Sequence, residues 1–158
     1  MKTWLILFCI VGLIAIAIVM PIQVPYSYTG DRAAEVQAGL DTWREAGITF
    51  VPVASTRSLI IMHASPAEFV LSQTAKGENV GNKIRISNRY PLTTSHFIGL
   101  VSHEAGHFLG LPHNSEPSSV MNLDLPLTTR PTARDIRGVK WLKPFIFLDI
   151  ALAFLHKT

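Results

Sequence analysis

Residues 103–113 read His-Glu-Ala-Gly-His-Phe-Leu-Gly-Leu-Pro-His, the pattern H-E-x-x-H-x-x-G-x-x-H. No other stretch limits the fold of this chain as strongly. On a helix, residues four apart share a face, so His103 and His107 can present two imidazoles to one metal ion. A glycine tolerates the positive φ that ends a helix in a tight turn, and Gly110 is placed to do so. Such a turn returns His113 as a third nitrogen donor and leaves the fourth position of a tetrahedral zinc free for water. Glu104, next to the first donor, is placed to handle that water's protons.

The pattern is specific. At average residue frequencies, three histidines, the glutamate and the glycine at fixed spacing arise by chance with a probability on the order of 10⁻⁵ per chain of this length. Neutral imidazoles bind zinc at about 2.0–2.1 Å and leave the site positively charged, which favours ionisation of a bound water near neutral pH. Glu104 would take a proton from that water during attack on a peptide carbonyl and pass it to the departing amine. The expected cofactor is one catalytic zinc ion, held by His103, His107 and His113.

The rest of the composition narrows the alternatives. A chain of 158 residues has room for one domain with a sizeable core. Its net charge of +3 is mild and its arginines and lysines are dispersed, which argues against a nucleic-acid footprint. No acidic cluster of the D-x-D kind suggests a calcium loop. The single cysteine, Cys9, excludes an internal disulfide and a cysteine zinc site.

Residues 4–20 carry no charge and follow Met1-Lys2-Thr3. Two readings stand open: a signal anchor, or a signal peptide cut after Ala17. Both place everything after Pro21 outside the cytoplasm, membrane-anchored in the first case and secreted in the second. The expected divisions are therefore residues 1–20, a catalytic domain over 21–143, and a hydrophobic tail over 144–158.

Within the domain, residues 22–28 read as a strand whose alternation is broken by Pro25. Ala33, Val36, Leu40 and Trp43 then repeat at helical spacing, with Thr29 or Asp31 as cap and Gly47 as stop. Residues 48–53 and 59–64 read as strands. The second is apolar on both faces and so central, and Pro52 puts the first nearer an edge or at a bulge. Residues 65–82 show little pattern, with a turn expected over 76–79, whereas 83–87 alternates cleanly as a strand. Thr93, Thr94 or Ser95 caps the helix that carries the motif, and Phe97, Leu100, Val101, Ala105 and Phe108 give it an apolar face.

The extended signature resembles that of the metzincin zinc peptidases, and within them the matrixins (matrix metalloproteinase-like catalytic domains). Two further stretches carry the likeness. Ser119-Val120-Met121 puts a methionine eight residues after His113, the spacing of the matrixin Met-turn. Residues 135–142, Asp-Ile-Arg-Gly-Val-Lys-Trp-Leu, resemble the helix that closes those domains, with Thr132 and Asp135 forming a capping box. The resemblance implies an α+β fold: a small mixed twisted sheet with an N-terminal helix, an active-site helix and, after the Met-turn, a C-terminal helix. It implies that Met121 lies under the metal without binding it, and that a substrate-aligning edge strand lies within 69–82. Residues without a match include Asn114 and Asn122, where matrixins have serine and often tyrosine. Neither the structural-zinc nor the calcium ligands have counterparts; His63 and His96 stand alone, so calcium is not expected.

The function expected on these grounds is a zinc-dependent endopeptidase acting on protein or peptide substrates. Two alternatives use the same residues: a zinc amidase on cell-wall peptides, and a catalytically silent zinc-stabilised binding domain. Retention of Glu104 speaks against the last, since a structural site needs no general base. The tail over 145–155 is apolar but for Asp149 and too short to span a bilayer. It is open to core packing, membrane contact or a partner.

Overall fold

The structure is a computed structural model that describes residues 21–54, 58–72, 74–123 and 130–155, with side chains through residue 146. The expected signal or anchor at 4–20 lies outside the described residues. Among the described residues, no helix is long and apolar enough to cross a membrane.

Five strands form one sheet in the order β2-β1-β3-β5-β4. They are β1 (Ile22–Thr29), β2 (Ile48–Pro52), β3 (Leu59–Ala64), β4 (Gly77–Val80) and β5 (Lys83–Ser87). The first three pairings in that order are parallel and join β2, β1, β3 and β5, and β4 alone runs antiparallel, beside β5 at the edge. The sheet with its helices is the mixed α+β architecture expected from sequence. β3 is internal and β2 lies at the opposite edge, as the apolar run and Pro52 indicated.

Pro25 sits inside β1 without breaking it. Tyr26–Thr29 pair with β3, whereas Ile22–Tyr26 pair with β2. The Ile22 amide and the Tyr26 carbonyl bond toward the β2 side, so alternation turns Pro25 toward β3, short of the point where that pairing begins. Its missing N–H therefore leaves no ladder bond unmade.

Alternation buries Ile22, Val24 and Tyr26 of β1, Ile48 and Phe50 of β2, Leu59 and Ile61 of β3, and Ile84 and Ile86 of β5. Helices α1 (Ala33–Asp41) and α2 (Thr94–Phe108) bring Val36, Leu40, Phe97, Leu100 and Val101 into the same core. A third helix, α3 (Ala133–Leu155), adds Val139, with Ile136, Leu142 and Ile146 packed beside it.

Four local expectations are corrected. The first helix ends at Asp41, and a separate 3-10 turn over Arg44–Ala46 precedes Gly47, whose φ of 78° ends that turn instead. Arg32 occupies the cap position of α1 and supplies no side-chain bond. The turn assigned to 76–79 is mostly β4. The reversal falls one step later at Gly81-Asn82, a two-residue hairpin connection in which Gly81 adopts a φ of 61°. Ser87, which the alternation of 83–87 turns outward with Lys83 and Arg85 and away from Ile84 and Ile86, is instead buried. Beyond these, Pro144 lies inside α3, and the helix continues through it to Leu155 rather than ending before the tail. On its outer side Trp141 and Phe145 are 81% and 65% exposed.

Candidate metal centre and its cleft

Thr93 caps α2 by accepting the amide of His96, which sets the start of the helix carrying the motif. His103, Glu104 and His107 fall on its second half. The helix ends at Phe108, and Gly110 has a φ of 89°, where a Cβ would be strained. The Leu111 amide bonds back to the Gly106 carbonyl, closing the turn that brings His113 round to the other two imidazoles.

The three Nε2 atoms form a nearly equilateral triangle. They are separated by 3.1 Å (His103–His107), 3.0 Å (His107–His113) and 3.2 Å (His103–His113). The Nδ1 atoms of two rings are already committed: His103 donates to the Val120 carbonyl at 2.7 Å, and His107 to the Leu111 carbonyl at 2.8 Å. A carbonyl only accepts, so both rings carry their proton on Nδ1 and turn an Nε2 lone pair toward the cluster. Lone pairs this close repel unless a cation stands among them. Three nitrogens about 2.0–2.1 Å from a tetrahedral zinc would be roughly 3.3 Å apart, so the donor set fits that ion.

Electrostatics favour neutral imidazoles. Burial pushes His103 down to about 4, helped by the proximity of His107 and His113 and opposed by its bond to Val120. Burial also lowers His107, against the opposing bond to Leu111. Neutral rings are the form that ligates.

Glu104 is 3% exposed, and its Oε2 has no hydrogen-bond partner. Its carboxyl is pushed up to about 8, mainly by burial and secondly by the charge of Glu78. The other oxygen lies against the backbone of β4: a Cβ built on Gly77 would stand 2.6 Å from Oε1. Glycine is needed there for space. A cavity of about 770 Å³ contains this group, lined by all three histidines together with Glu104, Leu100 and residues 75–79.

Met121 is fully buried. A Cβ on Gly106 would run into its sulfur and into the Trp43 ring, so the helix and the methionine are in close contact. The tie between this turn and His113 runs through residues to which sequence reasoning gave no role. Asn114 donates its amide N–H to the Met121 carbonyl and its side-chain Nδ2 to Ser119 Oγ at 2.8 Å. Asn114, noted in the sequence only as a mismatch, therefore has work to do in this chain. His63 and His96 lie outside the cluster; His63 pairs with the Tyr28 hydroxyl at 3.0 Å.

No protein-family model and no curated protein matches the sequence. Several solved structures share its fold, two of them as follows. Archaemetzincin from Methanopyrus kandleri aligns over 77% of this chain and 94% of its own, with 13% identity and a TM-score of 0.54. Myroilysin aligns over 77% of this chain and 82% of its own, with 13% identity and a TM-score of 0.56. The polypeptide thus has a metzincin-like fold, with the three histidines gathered in its cleft.

Proposed function

We propose that this protein is a zinc-dependent endopeptidase. One observation carries the reading: three imidazoles converge their Nε2 atoms within 3.0–3.2 Å, in a cleft they share with a buried carboxylate lacking a partner on one oxygen. His103, His107 and His113 would hold the zinc. When bound there, it acts as a Lewis acid on a carbonyl and lowers the pKa of water.

The protein's own groups supply the remainder. The Val120 and Leu111 carbonyls fix the tautomer and orientation of two imidazoles, so their lone pairs need no rearrangement. Glu104 has one oxygen against Gly77 and the other open, so it holds or releases a proton at Oε2 without breaking a hydrogen bond. It accepts a proton from the water that attacks the peptide carbonyl and delivers it to the departing nitrogen. A carboxyl whose burial favours the protonated form is suited to the second task. The outer edge of the sheet is β4, and an extended peptide lies along that edge in this reading.

The spacing of Met121 and the helix at Asp135 support a matrixin-like branch of the metzincins. The apolar run at 4–20 supports action outside the cytoplasm, anchored or secreted. The test is cleavage of a quenched peptide library and of cell-wall peptides by the zinc-loaded protein, beside Glu104→Ala. Peptide cleavage abolished by the substitution and by a chelator is expected. Cleavage that survives either one overturns the mechanism, and cell-wall peptides as the sole substrate would make the enzyme an amidase.

A further inference from the structure

Glu78 is as buried as Glu104, each 3% exposed. Its carboxylate is fully engaged: it accepts the Val70 amide at 3.0 Å, the Leu71 amide at 2.9 Å and Arg85 Nη1 at 2.7 Å. Burial alone would raise its pKa, yet these bonds together hold the carboxyl below the usual range, so it is buried as an anion. Arg85 is its register partner across the β4–β5 hairpin.

What this anion holds is unusual. Val70 and Leu71 belong to neither a helix nor a strand, and their side chains are 66% and 70% exposed. A buried ion pair is a poor source of net stability, because desolvation offsets most of its attraction. Here it immobilises backbone that leaves two large apolar side chains in water, so stability does not explain it. Position does. Leu71 and Ser72 line the same cavity as the three histidines. One residue before Glu78, Gly77 lies against the Glu104 carboxylate. Strand alternation turns Gly77 and Glu78 to opposite sides of β4, so a single step of backbone touches Glu104 on one side and anchors the cleft wall on the other.

We propose that Glu78 is a positioning residue: its buried carboxylate, paired with Arg85, fixes the Val70–Leu71 backbone as the wall against which the substrate peptide lies. The role rests on the peptidase reading of the site. It assigns Glu78 to substrate binding and leaves proton transfer to Glu104.

The test uses the full chain loaded with zinc, the variants Glu78→Gln and Leu71→Ala, and a quenched fluorescent peptide that the unaltered protein cuts. In Glu78→Gln, the Val70 and Leu71 amides should exchange hydrogen at least about tenfold faster. Zinc should still bind one-to-one, and KM should rise about tenfold with kcat within about twofold. Leu71→Ala, an exposed change that leaves the fold and the clamp intact, should raise KM with no change in amide exchange. Freed amides with an unchanged KM would reduce the clamp to a purely structural feature. An unchanged KM in Leu71→Ala overturns the proposal even if Glu78→Gln fails to fold, as does a loss confined to kcat. A protein that binds zinc but cuts no peptide defeats the peptidase reading itself, and the exchange data still show whether Glu78 holds this backbone.

Discussion

Ser119 Oγ donates to the Asp135 carboxylate at 2.8 Å, joining the Met121 turn to the start of α3. The same hydroxyl accepts the Met121 amide at 2.9 Å, and Asp135 also accepts from Thr132 N, Thr132 Oγ1 and Asn114 Nδ2. Asp135 is buried. Removing it strands several donors and frees the segment that carries His113. Asp135→Ala should destabilise the protein by about 3 kcal/mol or more and weaken zinc binding, as measured by thermal unfolding and metal titration. A variant that keeps wild-type zinc affinity would show that His113 does not depend on this tie.

Gly106 lies under the Met121 sulfur and the Trp43 ring. Gly106→Ala adds a methyl where no space exists and should cost about 1–3 kcal/mol through overpacking, despite the gain in helix propensity. A neutral or stabilising result in denaturant melts would mean that Met121 moves aside freely.

Gly77→Ala should act differently. Its Cβ would meet Glu104 Oε1 and Leu100 Cδ1, at 2.6 Å and 3.0 Å. Displacing the carboxylate should lower kcat by on the order of 10²-fold while zinc stoichiometry stays at one. Unchanged kcat would show that Glu104 needs no fixed position.

The metal-free protein should have a specific pH dependence. Glu104 has an ordinary value of 4.5 but is held at about 8 in the fold. Between those values the folded chain retains a proton that the unfolded chain has lost, so stability falls as pH rises through the window. His103, lowered from 6.5 to about 4, gives the opposite trend between those two values, because there the unfolded chain binds more protons. The two oppose below 6.5 and leave a net fall between 6.5 and 8. Thermal melts with chelator should show that fall, and Glu104→Gln should remove it. A slope that persists in the variant must come from another group.

The two sides of α3 should separate cleanly. Val139 is fully buried and Val139→Ala should cost about 2 kcal/mol. Trp141 is 81% exposed, and Trp141→Ala should change stability by less than about 0.5 kcal/mol. A large loss at Trp141 would reveal a contact made by the residues beyond 146.

Much of this arrangement was legible in the residues because it is local. Helical spacing alone puts His103 and His107 on one face, and Gly110 forecasts the turn that returns His113. Apolar alternation marked β1 and β5, a continuous apolar run marked β3 as central, and Pro52 pointed to an edge or a bulge for β2. The stretch before β5 is not legible as a strand, because β4 has only four residues and includes a glycine and a buried glutamate, so no period identifies it. Gly81-Asn82 was the available signal. Read as a hairpin connection, it would have set Glu78 opposite Arg85.

The sequence by itself determined that two donors share a helix face, that a third follows a glycine turn, and that a carboxylate stands between them. Those statements need only the 3.6-residue period and the backbone freedom of glycine. Only the tertiary structure decided how the site is held. The Val120 carbonyl orients His103 from a turn 17 residues away. Asn114 and Ser119 tie His113 to Asp135, and Gly77 and Glu78 reach the cleft from an edge strand. The pairs His103–Val120, Ser119–Asp135 and Gly77–Glu104 are distant in the chain, and no periodic pattern encodes which distant pair will meet.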